Sequence, residues 1–286
     1  MPSSLVGLEW AGSIDTEFKE KLDLIPLVEL IPDNFFQYNA TQSETLDLLN
    51  SMNKPVVLHS VSLSLMSLEP FKKDYFNKII QVSKKLSNVI CFSDHLCMTE
   101  FGGEDVGQLV SSIYNDETLQ ACKEKIIEIQ NITGQAFAIE NIAHPFFIPN
   151  QTYQETDFIN ELIEQTGCRL LLDLNNLYTN ATNFSIHLLD WLKAIDFDKV
   201  ELIHLAGGFI DSDGILQDGH CEPVPEPVWD LYKYVIKKSN RAIPTIIERT
   251  GNNEKEGLSP ILKDINIATG IHQQLLNKNQ LKQASI

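Results

Sequence analysis

The sequence predicts an α/β fold, a (β/α)8 TIM barrel, on three observations. Its 286 residues lie close to the roughly 250 typical of one such barrel. Eight short, nearly continuous apolar runs recur along it, separated by segments of helical periodicity. Each run closes on a polar or charged residue, and in such a barrel all the strand ends open on one pocket.

Taken in order, strands are expected at 5–10, 27–30, 55–61, 89–95, 136–141, 169–176, 200–207 and 245–250. Amphipathic helical patterns occupy 44–52, 71–86, 116–133, 156–167, 186–195, 226–239 and 260–275. Runs such as Val56-Val57-Leu58, Leu170-Leu171-Leu172 and Thr245-Ile246-Ile247 have no polar alternation before their ends. That pattern marks strands of a parallel sheet covered on its faces, and the intervening helices supply the crossovers. The reading gives one catalytic domain over 1–277 and a polar tail over 278–286, expected to fray. The longest stretch without a regular pattern is 207–225, rich in Gly, Asp and Pro; long loops in compact domains tend to be functional.

Composition narrows the function. Apolar residues make up 43% of the chain, enough for a large core, while 22 Lys+Arg against 39 Asp+Glu leave a formal net charge of −17. Nucleic-acid affinity rests on cationic neutralisation of phosphates, so no nucleic-acid partner is expected. No apolar run reaches the ~18 residues of a membrane span, and Met1-Pro2-Ser3-Ser4-Leu5 has no signal-peptide character. A cytoplasmic location without a membrane partner is expected. The five cysteines, irregularly spaced and without a C-x-x-C pair, fit a reducing setting. No G-x-S-x-G elbow, P-loop or G-x-G-x-x-G occurs.

The strand ends carry the chemistry. They read Glu9, Glu29, His59, Asp94-His95, Glu140-Asn141, Asp173 with Asn176, His204 and Glu248. Any one of these would ordinarily face water or pack in the core. Brought together at one end of a barrel, the carboxylates would repel and stay protonated unless cations held them. A metal centre is therefore expected, and Asp218 and His220 of the long loop, two residues apart, are candidates to join it. Asn175 is expected to tie the turn, Asn34 and Glu9 to line the pocket, and His144 to line its mouth. His187 and His272, on helices, are expected to have surface or packing roles.

At these residues the sequence resembles a known family. Leu58-His59 with Ser62-Leu63-Ser64, Ser93-Asp94-His95-Leu96, Glu140-Asn141-Ile142, Leu172-Asp173-Leu174-Asn175-Asn176, Ile203-His204-Leu205-Ala206-Gly207 and Pro223-Val224-Pro225-Glu226-Pro227-Val228-Trp229 look like the multinuclear non-heme iron-dependent oxidative enzymes. The likeness is to the methanobactin-biosynthesis, peptide-cysteine-modifying type, and it covers nearly the whole chain in order.

The resemblance implies a xylose-isomerase-like barrel. It also implies two or three irons in mixed Fe(II)/Fe(III) states, O2 as co-substrate, a ribosomal precursor peptide as substrate, and a small leader-binding partner protein. It places one iron on His59, His95 and Glu140, a second on Glu140, Asp173, His204 and Glu248, and a third on Asn176, Asp218 and His220. Glu140, Asp173 and His204 are the expected catalytic set, and Asp94, Asn141 and Asn34 the expected substrate contacts. Two departures stand out: Gly208 and Glu222 occupy positions where many relatives carry His. A divalent-metal sugar isomerase or an endonuclease-IV-like phosphodiesterase on the same barrel is the enzymatic alternative. A barrel that only binds peptide or metal is the non-enzymatic one.

Overall fold

In chain order the strands are β1 (Val6–Trp10), β2 (Val28–Leu30), β3 (Val56–Ser60) and β4 (Val89–His95), then β5 (Met98–Phe101) and β6 (Glu104–Val110). There follow β7 (Phe137–Glu140), β8 (Arg169–Asp173), β9 (Val200–Ala206), β10 (Phe209–Ile210), β11 (Leu216–Gln217) and β12 (Thr245–Glu248). The computed structural model describes residues 5–10, 16–37, 40–249 and 257–283. A closed barrel runs β1-β12-β9-β8-β7-β4-β3-β2, while β5-β6 and β10-β11 are separate two-stranded sheets. All the barrel pairings are parallel. The expected eight strands are thus the eight of the barrel.

Helices α1 (Thr16–Lys21), α2 (Ala40–Ser51), α3 (Lys73–Ser83), α4 (Asp116–Thr133) and α5 (Glu155–Thr166) accompany the first part of the barrel. The remainder are α6 (Leu174–Phe184), α7 (Leu188–Lys193), α8 (Glu226–Ser239) and α9 (Ser259–Gln283). Helix α9 carries regular backbone into the segment read as a tail; residues 284–286, and residue 250 at the expected end of the last strand, lie outside the described residues. One expected strand is too long. Instead of running to Asn176, β8 stops at Asp173, whose carboxylate accepts from the Asn176 backbone N–H at 2.6 Å and caps α6. That cap converts the strand end directly into a helix.

The pleat of the strands sorts the core into two parts. Outward residues such as Val56, Leu58, Leu170, Leu172, Ile203 and Leu205 pack against the helices in the larger cluster. A smaller, separate cluster joins Leu27, Val57, Cys91, Ala138, Leu171, Leu202 and Ile246, one residue from each of seven barrel strands or their immediate starts. Alternate residues share a face. Two positions further along those strands stand Glu29, His59, Ser93, Glu140, Asp173, His204 and Glu248. The barrel interior therefore has an apolar layer with a layer of ionisable side chains directly above it.

Candidate metal centre

Three atoms form a tight triangle at one side of this layer. His59 Nε2 lies 3.3 Å from His95 Nε2, and Glu140 Oε2 lies 3.2 Å and 3.5 Å from those two nitrogens. The point equidistant from all three is about 1.9 Å from each, and a small step out of plane reaches the ~2.0–2.2 Å of metal–nitrogen and metal–oxygen bonds. Behind this set, Ser93 Oγ is 2.9 Å from His59 Nδ1, which turns Nε2 inward. Asp94 Oδ1 accepts from the His95 backbone N–H at 2.7 Å.

The other oxygen of Glu140 begins a second set. His204 Nδ1 lies 3.5 Å from Glu140 Oε1, 3.2 Å from Glu248 Oε1 and 3.9 Å from Asp173 Oδ2. On its far side His204 Nε2 meets Glu29 Oε2 at 3.1 Å. A histidine ligand characteristically donates its second ring N–H to a carboxylate, which fixes the tautomer and makes the ligating nitrogen more basic. Glu29 is placed to do this for His204.

Glu248 continues the row. Its Oε2 is 3.7 Å from His220 Nε2, which lies 3.0 Å from Asp218 Oδ1. Ligand atoms of Glu9, His220 and Glu248 come within 4.8 Å of one another. Glu140 and Glu248 thus each face two neighbouring sets with different oxygens, so the sets share carboxylates along one line. His220 adopts a left-handed backbone (φ 47°), uncommon for a residue with a side chain, with its ring against Asp218.

The electrostatics test whether cations fit. Buried atoms without a hydrogen-bond partner include Glu29 Oε1, His95 Nδ1, Glu140 Oε2, Asp173 Oδ2, Asn176 Oδ1, His204 Nδ1, His220 Nε2 and Glu248 Oε2. Such orphans are costly when buried; of these, Glu140 Oε2, Asp173 Oδ2, His204 Nδ1, His220 Nε2 and Glu248 Oε2 face one another along the row, as ligands arranged for ions would. Burial pushes the Asp173 carboxyl well up, with Glu248 and Glu140 adding repulsion. Burial, then Glu248 and Glu29, push Glu9 up to about 8. Burial opposes the charged form of His95, yet the Glu140 and Asp94 carboxylates raise it to about 9. His204 and His220 are raised against their own burial, with Glu248 the leading cause. In the metal-free protein, protons hold together what cations would hold better.

The structure brings His59, His95, Glu140, Asp173, His204, Glu248, Asp218 and His220 into this row. Asn176 Nδ2 donates to the Asn141 carbonyl at 3.1 Å and faces Glu140 Oε1 at 3.5 Å, while its buried Oδ1 has no hydrogen-bond partner. Asn175 donates to Asp218 Oδ1 at 2.7 Å. Two of the expected substrate contacts are engaged inside the protein. Asp94 accepts from Ser60 Oγ and the Leu63 N–H, and Asn141 exchanges two bonds with the Asp173 backbone at 2.8 and 3.0 Å. Asn34 is exposed, and its neighbour Asp33 accepts from the Tyr75 hydroxyl at 2.8 Å. Glu29 was legible only as a strand end, and its role as the partner of His204 is visible only once β2 and β9 face each other across the barrel. Gly208 has no room for a side chain, since a Cβ there would lie 2.0 Å from the Gln217 carbonyl; Glu222 is exposed.

Comparison with known proteins is consistent with this geometry. A family model described as "RiPP precursor modification enzyme MbnB/TglH/ChrH" matches residues 5–272. The chain belongs to this family. Similar proteins include several with the designation UPF0276 protein. One from Acaryochloris marina is 33% identical over 224 residues, covering 78% of this chain and 79% of its own. Another from Rhizorhabdus wittichii is 32% identical over 246 residues, covering 85% of each. Among solved structures, a xylose isomerase domain protein from Planctomyces limnophilus superposes with a TM-score of 0.64 at 12% identity, over 96% of this chain and 100% of that one. D-Psicose 3-epimerase from Clostridium cellulolyticum gives 0.59 at 11% identity, over 95% and 99%. These likenesses show that the RiPP precursor modification family member has a xylose-isomerase-like TIM barrel. Among its described residues no helix is long and apolar enough to cross a membrane.

Proposed function

We propose that this protein is an O2-dependent, multinuclear iron oxidase that modifies a residue, cysteine first, of a ribosomally made precursor peptide presented with a small leader-binding partner. The observation that carries the proposal is the carboxylate-shared row of three ligand sets. His59, His95 and Glu140 make a two-histidine, one-carboxylate set, the arrangement that suits non-heme Fe(II) with open positions. The row contains no thiolate, unlike closed structural zinc sites. Two or three bound irons in mixed Fe(II)/Fe(III) states would bind O2 and pass to it electrons taken from the peptide residue being oxidised.

The chain's own residues supply order and access. Glu140 and Glu248 hold neighbouring sets at fixed spacing, and Glu29 and Ser93 fix the orientation of His204 and His59. Glu29 and His204 are fully enclosed, whereas the side chains of His95 and His220 keep 13% and 24% of their exposure. Substrate thus approaches from the His95 and His220 ends, and bulk water is kept from the middle. Asp173 Oδ2, buried without a hydrogen-bond partner and 3.9 Å from His204 Nδ1, faces the second set as a carboxylate ligand would.

The test is metal analysis with Mössbauer spectroscopy on protein purified without oxygen from iron-supplemented cells. Two or more irons per chain with a mixed-valent signal is the expected result. Full occupancy by zinc or manganese, with no iron retained, would overturn it in favour of a sugar isomerase or phosphodiesterase.

A further inference from the structure

A second feature of the catalytic face lies beside the metal row. After Glu140 the chain runs through Asn141 and Ile142 to His144, where a cleft of about 340 Å³ opens. That volume falls in the range of small-ligand pockets. Its path is set by α6: Asn176 holds the Asn141 carbonyl, and Asn180 donates to the Ile142 carbonyl at 2.8 Å and accepts from the His144 N–H at 2.7 Å. The four residues from Glu140 to His144 span at most about 14 Å. An extended peptide with one residue at the metal row would therefore reach the cleft within about four or five residues.

The cleft has two characters. One wall is aromatic, from Phe146, Phe147, Phe184 and Tyr114. Phe146 and Phe147 keep 50% and 72% of their exposure between Pro145 and Pro149, which limit how far the loop can fold them away. Adjacent exposed phenylalanines of this kind mark an interaction site rather than a solvated loop. The other wall is Glu155, whose carboxylate accepts from the Trp191 indole N–H at 2.7 Å and the Tyr114 hydroxyl at 3.3 Å, with His144 Nε2 at 3.2 Å. Among the described residues no lysine or arginine lines the cleft, and the whole chain carries a net charge of −17.

We infer that this cleft is a substrate subsite that takes an aromatic side chain flanked by a lysine or arginine, a few residues from the residue that reacts. The inference rests on the peptide reading above. The aromatic ring packs between Phe147 and Phe184, and the cation sits on the Glu155 side, against the carboxylate that forms that wall.

The probe is a short photoreactive peptide, acetyl-Lys-benzoylphenylalanine-Lys-amide, added to the protein as purified and irradiated, with labelled segments identified by mass spectrometry. Labelling is expected within residues 144–154 and at 184–186, and excess acetyl-Lys-Phe-Lys-amide should suppress it. Phe147→Ser or Glu155→Gln should cut the yield about tenfold. Phe147 is so exposed that its substitution leaves the fold intact even if Glu155→Gln does not fold. Labelling elsewhere, equal labelling by the Glu-flanked analogue, or suppression by D-fructose would overturn the assignment. The measurement needs neither iron nor turnover, so its failure and a failure of the iron analysis are separate results.

Discussion

His204 sits between two carboxylate environments, Glu29 on one nitrogen and Glu140, Glu248 and Asp173 on the other. Replacing Glu29 with Gln keeps the shape but removes the charge that makes Nδ1 basic. Metal affinity at the His204 set should fall ten- to hundred-fold while the His59–His95–Glu140 set keeps its ion, as read by chelator competition with elemental analysis. Glu140→Gln should behave differently. Its two oxygens face different sets, so both adjoining positions should lose metal together, and a variant that lost only one ion would refute the shared-carboxylate row. Proton competition gives a third residue-scale prediction. His95, raised to about 9 by Glu140 and Asp94 against its burial, is protonated at neutral pH in the metal-free protein. An incoming ion must displace that proton, so affinity should fall as pH drops below about 9, about tenfold per unit for each proton released. Calorimetry in buffers of different ionisation enthalpy measures the release; none would contradict the assignment.

Helix α6 organises the site from one short element. Its cap, Asp173, belongs to the metal row; Asn175 holds Asp218; Asn176 and Asn180 hold the strand-end loop 141–144. Near its end Asn183 donates to the Leu216 carbonyl at 2.9 Å and accepts from the Leu216 N–H at 3.1 Å, pinning the β10–β11 hairpin that leads into Asp218 and His220. Asn183→Ala should loosen that hairpin at a cost of about 1–3 kcal/mol and drop only the ion held by Asp218 and His220. Elemental analysis showing all ions retained would remove Asn183 from this role. Gly207 works at the same scale, for a Cβ there would sit 2.3 Å from the Pro223 carbonyl and 2.4 Å from that of Glu222. The close return of the long loop over the end of β9 needs a glycine.

The molecule as a whole couples its metal row and its outer core to pH in different ways. Binding of ions only to the folded state stabilises it by about 2.7 kcal/mol at a hundred times Kd, so chelation should lower Tm. His272 of α9 is buried, bonds the Tyr232 hydroxyl at 2.7 Å, and burial lowers its pKa to about 4. Its folded value lies below the unfolded one near 6.5, so the unfolded chain takes up more protons between them. Stability should therefore be intact above pH 6.5 and fall as pH drops towards 4, by at most roughly 3 kcal/mol from this group. His272→Leu, which leaves Tyr232 bonded to Thr245, should flatten that part of a Tm-against-pH curve. An unchanged slope would assign the acid sensitivity to other groups.

Strand periodicity and polar strand ends were local signals, readable because a parallel barrel buries whole apolar runs and exposes only their last residues to the pocket. They determined the eight-stranded barrel, the ionisable set around His59, Glu140 and His204, and the single pocket they share. Local signals could not reveal α6, because Leu174-Asn175-Asn176-Leu177 reads as a turn until Asp173 caps it. Nor could they tie Asn175 to Asp218, pair Glu29 with His204, or show Glu248 facing two sets. Each of these depends on which strands lie opposite one another and which oxygen points which way. Distances across a closed barrel are set by strand register and pleat, and only the tertiary structure contains them.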